Sequence, residues 1–420
     1  MRQLSGPRQQ ARRRFLAQVG GTITCGLAAG IGAASAASGT EATARRSAER
    51  KSPSGRGTKV FLCGDVMTGR GIDQILQHPG QPQLFEPSVN SARTYVELAE
   101  ATNGPIPRGV GSEYVWGDAL MALERAQPDV RIVNLETAVT KADSAWHGKN
   151  IHYRMHPANA SCLTAAKIDC CALANNHVLD WGYDGLRETV ATLRALNIRT
   201  AGAGDDSVTA AAPAAINTSG GRRVMVFAYC SASAGVPQAW AARKDWPGVN
   251  LLDEWASDAV KRVARDVHAA RRPGDLVIAS LHWGGNWGYE VAPEQRALAH
   301  RLIDEAGVDL VHGHSSHHPR PFEVYRDKLI LYGCGDFLND YEGIRGYEEF
   351  RSELGLMYLP ELDPASGRLQ QLTLLPTRVA KFQVTRAAAE DAVWLQETLN
   401  REGRALGTSV RRGADGSLTL

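Results

Sequence analysis

The sequence lacks the features that mark several large classes of protein. It contains no uninterrupted run of about 18 strongly apolar residues, which excludes a multi-span membrane protein. None of its seven cysteines lies in a Cys-x-x-Cys metal or redox pattern, and no fixed-period repeat is visible. A chain of 420 residues that is 43% hydrophobic and 22% charged has an ordinary globular composition. It is long enough for one large domain or two smaller ones.

Acidic residues are absent from the first 36 positions, which hold five arginines. The remaining residues carry 42 basic and 45 acidic side chains, so most of the chain is slightly acidic. A general nucleic-acid binder presents a basic surface to the phosphate backbone. We therefore expect no nucleic-acid partner.

The N-terminal residues have the layout of an export signal. Arg12-Arg13-Arg14-Phe15-Leu16 precedes a weakly apolar stretch and the small-residue site Ala34-Ser35-Ala36, which predicts a signal peptide over residues 1–37. The paired arginines resemble a twin-arginine signal; an ordinary secretory signal is the alternative, and a lipoprotein signal through Cys25 fits less well. Residues 38–58 are rich in Ser, Arg, Glu and Gly and predict a flexible linker. The expected location is the periplasm or the cell surface.

Six cysteines follow the predicted signal peptide. Most of them lie in strand-like apolar runs, where a cysteine is usually a small buried hydrophobe. An exported location permits disulfides, but the sequence does not pair them. The six are Cys63, Cys162, Cys170, Cys171, Cys230 and Cys334.

From residue 59 onward, short β-rich runs alternate with helical periodicity, which is typical of an α/β or α/β-sandwich domain. Six of these runs end in polar residues. Because ligands of open α/β sheets bind just outside the carboxyl ends of the strands, we expect the six polar clusters to converge on one site. The clusters begin at Gly64, Asn134, Asn175, His282, Gly313 and Gly333.

Helical spacing predicts one helix around Leu186 to Leu196 and another that begins at Pro293. Residues 77–117 contain turn residues and a short helical pattern, and we interpret them as an insertion over the site. After residue 359, two strand-like runs and a helix around residues 387–400 predict a C-terminal α+β appendage.

The residues at the strand ends form a mixed set of oxygen and nitrogen donors. Such a set suits one or two divalent transition metals, Mn, Fe or Zn, better than Ca or Mg. His177, one residue beyond a candidate amide ligand, could protonate a leaving oxygen. The candidate metal ligands are Asp65, Glu136, Asn176, His282, His314 and His317. Residues that could orient a ligand or meet substrate are Asn134, Asp180, Arg154, Trp283 and Asp336.

Structural interpretations compete with several of these assignments. Asp65 could cap the following segment, and Glu136 could be a solvated loop acid. One of the two asparagines before His177 could be only a turn former. His312, within a strand run, is more typical of a packed core histidine, and Trp283 of buried aromatic packing.

The ordered motifs resemble those of the bacterial capsule-synthesis family CapA, which is similar to calcineurin-like metallophosphoesterases. They are Gly64-Asp65-Val66-Met67, Asn134-Leu135-Glu136, Ala174-Asn175-Asn176-His177 with Asp180, His282-Trp283-Gly284, and Gly313-His314 with His317. The resemblance covers residues 59–359. It implies a four-layer α/β/β/α sandwich with residues 360–420 as an appendage, and a role in synthesis of poly-gamma-glutamate capsule.

The resemblance also implies roles for single residues. Asp65 corresponds to the first metal carboxylate, Glu136 to the bridging group, and His177 to the proton donor; Asn176, His282, His314 and His317 correspond to further ligands. The sequence departs from the phosphoesterase pattern at Met67, where a histidine is usual, and in the two serines between His314 and His317.

Two functional hypotheses follow. The first is an exported metal-dependent hydrolase of a phosphoester or a related bond, an amide included, in an envelope polymer. The second is an accessory protein that binds an anionic polymer and catalyses nothing. Expected partners are an anionic envelope polymer or a phosphorylated substrate, and membrane components of a capsule synthase.

Overall fold

The computed structural model describes residues Gly57–Leu420. The predicted signal peptide and the linker up to residue 56 lie outside the described residues. Within Gly57–Leu420, every helix is too short or too polar to cross a lipid bilayer.

The described residues form twenty strands and eight α-helices. The strands are β1 Thr58–Val66, β2 Val130–Leu135, β3 Ala138–Val139, β4 Arg154–Met155, β5 Cys170–Ala172, β6 Arg199–Ala201, β7 Ala203–Gly204, β8 Ala214–Asn217, β9 Arg223–Cys230, β10 Gly248–Val249, β11 Leu276–His282, β12 Leu310–His314, β13 Phe322–Tyr325, β14 Lys328–Leu331, β15 Asp336–Leu338, β16 Leu354–Leu362, β17 Leu369–Ala380, β18 Gln383–Arg386, β19 Arg411–Arg412 and β20 Leu418–Thr419. The helices are α1 Arg93–Asn103, α2 Asp118–Ala126, α3 Ser161–Ala165, α4 Gly182–Ala195, α5 Ser207–Ala211, α6 Ala259–Ala270, α7 Pro293–Asp304 and α8 Ala389–Gly403.

The first large sheet is mixed and is centred on β1. On one side β1, β2, β5 and β6 run parallel in that order, and β15 also pairs with β1 in parallel. On the other side β16 and β17 continue the sheet antiparallel. The parallel part brings the carboxyl ends of β1, β2 and β5 to one edge, where three of the predicted polar clusters begin, and β15 starts with Asp336 beside the end of β1.

The second large sheet has the order β13-β14-β12-β11-β9-β8, and its four central strands are parallel. Successive side chains of β9 point to opposite faces of the sheet. Val224 and Val226 belong to the core shared with the first sheet, whereas Met225 and Phe227 belong to a second core. The second core also contains the apolar faces of α6 and α7. The second sheet is therefore buried on both faces, as parallel sheets usually are.

Helices also cover the first sheet: α2 packs beside β18, and α8 beside β17. Two sheets that face each other across one core, with helices outside, form the layered α/β sandwich that the sequence predicts. The predicted helices are confirmed as α4 and α7, and proline is at the start of α7.

The C-terminal residues extend the first sheet. β17, β18, β19 and β20 all join it beyond β16, and α8 matches the predicted C-terminal helix. The predicted boundary between residues 359 and 360 lies inside β16. The chain after that boundary is thus continuous in hydrogen bonding with β1, which carries Asp65.

Candidate metal centre

The first sheet contributes the carboxylates of the candidate site. In the parallel register, Asp65 of β1 lies opposite Asp336 of β15 and Asn134 of β2. The Asn134 side-chain amide donates to Asp65 Oδ1 at 2.7 Å, and the Ser315 N–H donates to Asp65 Oδ2 at 3.2 Å. Glu136 follows β2 directly and is also buried. Like charges are thereby concentrated at one sheet edge.

Glycines let the strands that carry Asp65 and Asp336 approach each other closely. A Cβ placed on Gly64 would lie 1.7 Å from the Gly335 carbonyl oxygen, a distance that no side chain can occupy. Gly335 itself has φ +77°, a left-handed conformation that glycine adopts without strain. The Asp65 N–H donates to the Gly335 carbonyl at 3.0 Å. Each of the two acids therefore follows a glycine that the local backbone requires.

The second sheet contributes imidazoles. His282 of β11 lies opposite His314 of β12 in the parallel register, and their Nδ1 atoms are 2.9 Å apart. The Ser280 hydroxyl lies 2.8 Å from His314 Nε2, which orients that ring. His314 Nδ1 lies 3.9 Å from Asp65 Oδ1, so the two sheets meet at this point.

His317 lies in the loop after β12 and forms the second contact between the sheets. Its Nδ1 is 2.9 Å from Asp336 Oδ1, and the other Asp336 oxygen accepts from the Asn339 amide at 2.8 Å. Its Nε2 lies 3.0 Å from the Asn286 side-chain amide nitrogen. The pKa of His317 is raised despite burial, because Asp336 and Asp65 favour the charged ring.

These side chains form two groups, each able to hold an ion. One group is Asp65, His282 and His314; the other is Asp65, His317 and Asp336. Asp65 belongs to both, which is the position of a bridging carboxylate. The sequence resemblance gave the bridging role to Glu136, and the sequence gave Asp336 an orienting role; the geometry adds Asp65 as a candidate for the bridge and Asp336 as a candidate ligand.

Glu136 lies next to these groups. Its Oε1 is 3.7 Å from His177 Nε2 and 3.8 Å from His282 Nε2, and its Oε2 has no hydrogen-bond partner. Asn176, the other predicted ligand, places its Oδ1 3.2 Å from His282 Nε2. A buried carboxylate oxygen without a partner is costly, and a bound cation would supply one.

Burial and mutual repulsion shift the pKa values of the acids. Burial raises the pKa of Asp65 to about 6, with a further contribution from Asp336, and the pKa of Glu136 is raised by burial and by Asp65. Burial lowers the pKa of His282 and His314 below the usual range, so both rings are neutral and have lone pairs to offer. Carboxylates that repel each other beside neutral imidazoles fit a divalent transition metal.

His177 is held by two groups that compete for the same ring atom. Its Nδ1 lies 2.6 Å from Asp180 Oδ2 and 2.9 Å from Lys149 Nζ. Lys149 also donates to Asp180 and to the Asn176 carbonyl. Burial, and then Lys149, lower the pKa of His177 well below its usual value. Lys149 was not predicted; a lone lysine in a loop gives no sequence signal.

Arg70 is a second buried residue that the sequence did not reveal. Its guanidinium donates to Asp340 and Glu86 and lies 3.7 Å from the Tyr95 ring centroid and 4.3 Å from that of Tyr153. Tyr153 in turn contacts the His177 ring edge-on, at 4.5 Å between centroids. Because Glu86 and Tyr95 belong to residues 77–117, the predicted insertion is anchored to the wall of the site. Its helical pattern is confirmed as α1.

Three further predicted residues lie elsewhere. Arg154 donates to the carbonyls of residues 142 and 81 and stacks on Trp181 at 3.7 Å. Trp283 is buried in the second core, with its Nε1–H donating to the Tyr332 carbonyl at 3.0 Å. His312 is a packed core histidine, as predicted, with Nε2 2.7 Å from the Cys63 carbonyl. The six cysteines after residue 57 are free and buried.

Comparison with solved structures gives weak overall similarity. A crystal structure titled as a novel phosphatase from Mycoplasma pneumoniae aligns with 76% of this chain and 93% of its own, at 11% identity and a TM-score of 0.42. A hypothetical protein from Thermus thermophilus aligns with 76% of this chain and 98% of its own, at 15% identity and a TM-score of 0.39.

Sequence relatives are much closer. A Mycobacterium tuberculosis protein named "Probable polyglutamine synthesis accessory protein" is 52% identical over 86% of this chain and 95% of its own length. The "PGA biosynthesis protein CapA" of Bacillus subtilis is 25% identical over 86% of this chain and 81% of its own. The family profile described as "Bacterial capsule synthesis protein PGA_cap" matches residues 59–341. The chain therefore belongs to the bacterial capsule synthesis protein family that includes CapA.

Proposed function

We propose that this chain is an exported metal-dependent hydrolase that cleaves a phosphoester or a related bond during synthesis of a glutamyl capsule or another envelope polymer. One observation carries the proposal: two groups of side chains that could ligate a metal share Asp65, and His177 lies 3.7 Å from the adjacent Glu136. A shared carboxylate between two ion positions is the arrangement of two-metal hydrolases. The names of the relatives support the polymer context.

The donor set fits Mn, Fe or Zn, and such ions, when bound, activate water and polarise the oxygen that is attacked. Asp65, His282 and His314 would hold one ion, and Asp65, His317 and Asp336 the other. Glu136 and Asn176 are near enough to His282 to complete the first position.

His177 would exchange a proton with the substrate. Its Nδ1 is fixed by Asp180, and its Nε2 lies 3.7 Å from Glu136 Oε1. In the substrate-free protein, burial keeps the ring neutral. An anionic substrate oxygen beside Nε2 would favour the protonated ring, which could then donate its proton to the leaving oxygen.

A non-catalytic accessory protein that binds an anionic polymer is the second candidate, and Met67 favours it. Met67 occupies the position where phosphoesterases usually have a histidine ligand. Its side chain is fully buried, and its Sδ lies 3.8 Å from the Tyr341 hydroxyl, which donates to it. An ion in this environment would have one imidazole fewer than is usual. An amide hydrolase would use the same ligands, so only substrate tests separate it from a phosphoesterase.

Export rests on the arginine-led N-terminus. We expect Arg12→Lys combined with Arg13→Lys to leave the precursor in the cytoplasm if the twin-arginine route is used. Normal export of that double variant would favour the ordinary secretory route. Partners at the surface would then be the polymer and membrane components of its synthase.

The decisive experiment measures metal content and turnover on the same samples. Protein from the native exporting host should contain one or two transition-metal ions and hydrolyse bis(p-nitrophenyl) phosphate. His314→Ala should lose metal and turnover together, whereas His177→Ala should keep its metal and lose about a hundredfold in turnover. His300→Ala is the matched control, since His300 lies on α7 and pairs with Glu323 of β13. This variant should change neither metal content nor turnover.

Metal without turnover of phosphoesters or glutamyl amides would favour the polymer-binding candidate. Wild-type protein without metal would contradict the assignment of the site.

A further inference from the structure

The short loop after β11 places one polar side chain against His317. Asn286, an exposed residue of this loop, brings its side-chain amide nitrogen to 3.0 Å from His317 Nε2. The Asn286 backbone carbonyl also accepts from the His317 N–H at 3.0 Å. Asn286 therefore contacts His317 through both its backbone and its side chain, although the two residues are 31 positions apart in the sequence.

The two nitrogens of the His317 ring have different surroundings. Nδ1 lies on the side of the acids, since it is 2.9 Å from Asp336 Oδ1, whereas Nε2 contacts Asn286. His317 and Asp336 form the second ion group together with Asp65. Nδ1 is therefore the nitrogen that can join the two carboxylates around an ion, and Nε2 is the nitrogen that depends on Asn286.

A histidine that ligates a metal through one nitrogen carries its hydrogen on the other nitrogen. When Nδ1 of His317 offers its lone pair, Nε2 bears the hydrogen, and an acceptor beside Nε2 fixes the orientation of the ring. The Asn286 amide has an acceptor as well as a donor, because a half-turn of this group places Oδ1 where the nitrogen lies. Asn286 is thus able to hold the Nε2 hydrogen while Nδ1 faces the carboxylates.

Aromatic packing holds Asn286 beside the ring. Trp287, the next residue, lies 5.3 Å from His317 between ring centroids and stacks on Tyr347 at 4.1 Å. Tyr347 belongs to the segment between β15 and β16, so the stack ties the loop after β11 to a second part of the chain. Tyr341 of that segment contacts the His317 ring edge-on at 5.2 Å. The position of Asn286 is therefore fixed by its neighbours although the residue itself is exposed.

The loop that carries Asn286 also begins at a residue of the first ion group. His282 is the last residue of β11, and Asn286 is four positions further along the chain. Between them Gly284 has φ +76°, a left-handed conformation that glycine adopts without strain. One short segment thus supplies a candidate ligand to the first group and a hydrogen-bond partner to the histidine of the second.

We propose that Asn286 is a positioning residue for the second ion group: its side-chain oxygen accepts from His317 Nε2 and holds Nδ1 toward Asp65 and Asp336. The inference rests on the metal centre of the proposed function. Asn286 acts through His317 and is not itself a ligand. Its role toward His317 parallels that of the Ser280 hydroxyl toward His314.

The test counts bound ions instead of measuring turnover. Metal-free protein is titrated with Mn²⁺, and the free ion is measured by electron paramagnetic resonance. The wild type should bind two ions per chain, and Asn286→Ala should weaken one of them at least about tenfold, because the His317 ring loses the partner that orients it. Asn286→Asp, whose carboxylate only accepts, should restore the affinity.

Two further backgrounds identify the position that is affected. In His282→Ala protein only the second group is intact, and adding Asn286→Ala should weaken the ion that remains. In His317→Ala protein only the first group is intact, and adding Asn286→Ala should change nothing. Asn90→Ala is the matched control and should bind as the wild type does, because Asn90 is also an exposed loop asparagine whose carbonyl accepts an N–H, that of Leu84 at 3.0 Å.

Equal ion affinities for Asn286→Ala and the wild type would overturn the proposal. An Asn286→Asp variant as weak as Asn286→Ala would overturn the role of the side-chain oxygen. Wild-type protein that binds fewer than two ions would contradict the second group and this inference with it. If Asn286→Ala loses only the second ion, while wild-type protein with both ions hydrolyses nothing, the inference stands and the hydrolase proposal fails.

Discussion

The two sheets bring different chemistry to the candidate metal centre. The first sheet supplies the acids and amides, Asp65, Asn134, Glu136 and Asp336, and the second supplies the imidazoles, His282, His314 and His317. Every close contact between ligands of opposite type crosses from one sheet to the other, as in His317 with Asp336 and His314 with Asp65. Each of the two candidate groups draws side chains from both sheets, so both are complete only when the sandwich is closed.

The contrast extends to electrostatics. On the first sheet burial, and then the charge of a neighbouring acid, raises the pKa of Asp65 and of Glu136, whereas on the second sheet burial lowers the pKa of His282 and His314. Without a cation, the first sheet holds unfavourable negative charge and the second holds neutral rings. An ion between them would relieve the repulsion and use the lone pairs at the same time.

The strongest test of this contrast removes the acid that both groups share. Asp65→Asn should weaken both ion positions, so metal content should fall close to zero and turnover by about a thousandfold, because each position would lose the carboxylate that the two share. Elemental analysis and phosphodiester hydrolysis measure the two effects.

Asp309→Asn is the matched control for that variant. Asp309 is a buried aspartate that accepts from the Val277 N–H at 2.9 Å and pairs with Lys328, outside the centre. This variant should lose stability yet keep its metal. Full metal occupancy in Asp65→Asn would refute the shared-carboxylate assignment.

The pH dependence of stability offers the next largest effect. The pKa of Asp65 is raised in the fold to about 6 from an ordinary 3.8, so the folded chain binds the proton more tightly than the unfolded chain. The stabilisation of the folded chain by protonated Asp65 is therefore lost as pH rises between about 4 and 6. In the metal-free protein, Asp65→Asn should gain up to about 3 kcal/mol of unfolding free energy relative to wild type across that window. Urea unfolding at several pH values measures the difference, and a difference that is constant with pH would contradict it.

His177 is an imidazole on the side of the first sheet, which otherwise supplies acids and amides. Substitution of Lys149 tests whether the position of the His177 ring depends on its neighbours. Lys149→Met should lower turnover about thirtyfold with metal content unchanged, because Asp180 would lose its cation and His177 would lose one of the contacts that fix its ring. Lys149→Arg should restore part of the rate. Lys141→Met, at an exposed lysine in the same loop, is the control. Equal rates for Lys149→Met and wild type would exclude a positioning role.

The smallest expected effect concerns the second sheet alone. Ser280→Ala should weaken metal affinity about tenfold, since the hydroxyl that orients His314 would be lost. Competition with a chelator measures the metal affinity. Ser112→Ala is the control, because the Ser112 hydroxyl contacts that of Ser161 and not a candidate ligand. An unchanged affinity would mean that His314 is oriented by packing alone.

The sequence predicted where the strands end and which residue types follow them, because the periodicity of a strand and the polar residues after it are local signals. The layered sandwich, the helices at Gly182–Ala195 and Pro293–Asp304, and the core position of His312 all follow from such signals. The family resemblance added the order of the motifs.

Other features depend on register between distant strands, which no local pattern encodes. That Asp336 faces Asp65 follows from the parallel pairing of β15 with β1, and this makes Asp336 a member of an ion group rather than a residue behind it. The sequence did not predict Arg70 and Lys149 as residues of the site for the same reason, because their partners come from loops that are distant in the sequence. The resemblance assigned the bridging position to Glu136, and the close approach of Gly64 to Gly335 adds Asp65, which both candidate groups share, as a second candidate for that position.

The pairing of β1 with β15 also sets the stage of synthesis at which the second candidate ion group is first complete. β1 is the first strand of the described chain to be synthesised, whereas β15 follows ten of the strands that build the two large sheets and emerges from the ribosome late. Until Asp336 and His317 have joined Asp65, the second ion group does not exist. An ion at the second group could therefore be held only after β15 has been made, whereas the first group needs the chain only as far as His314.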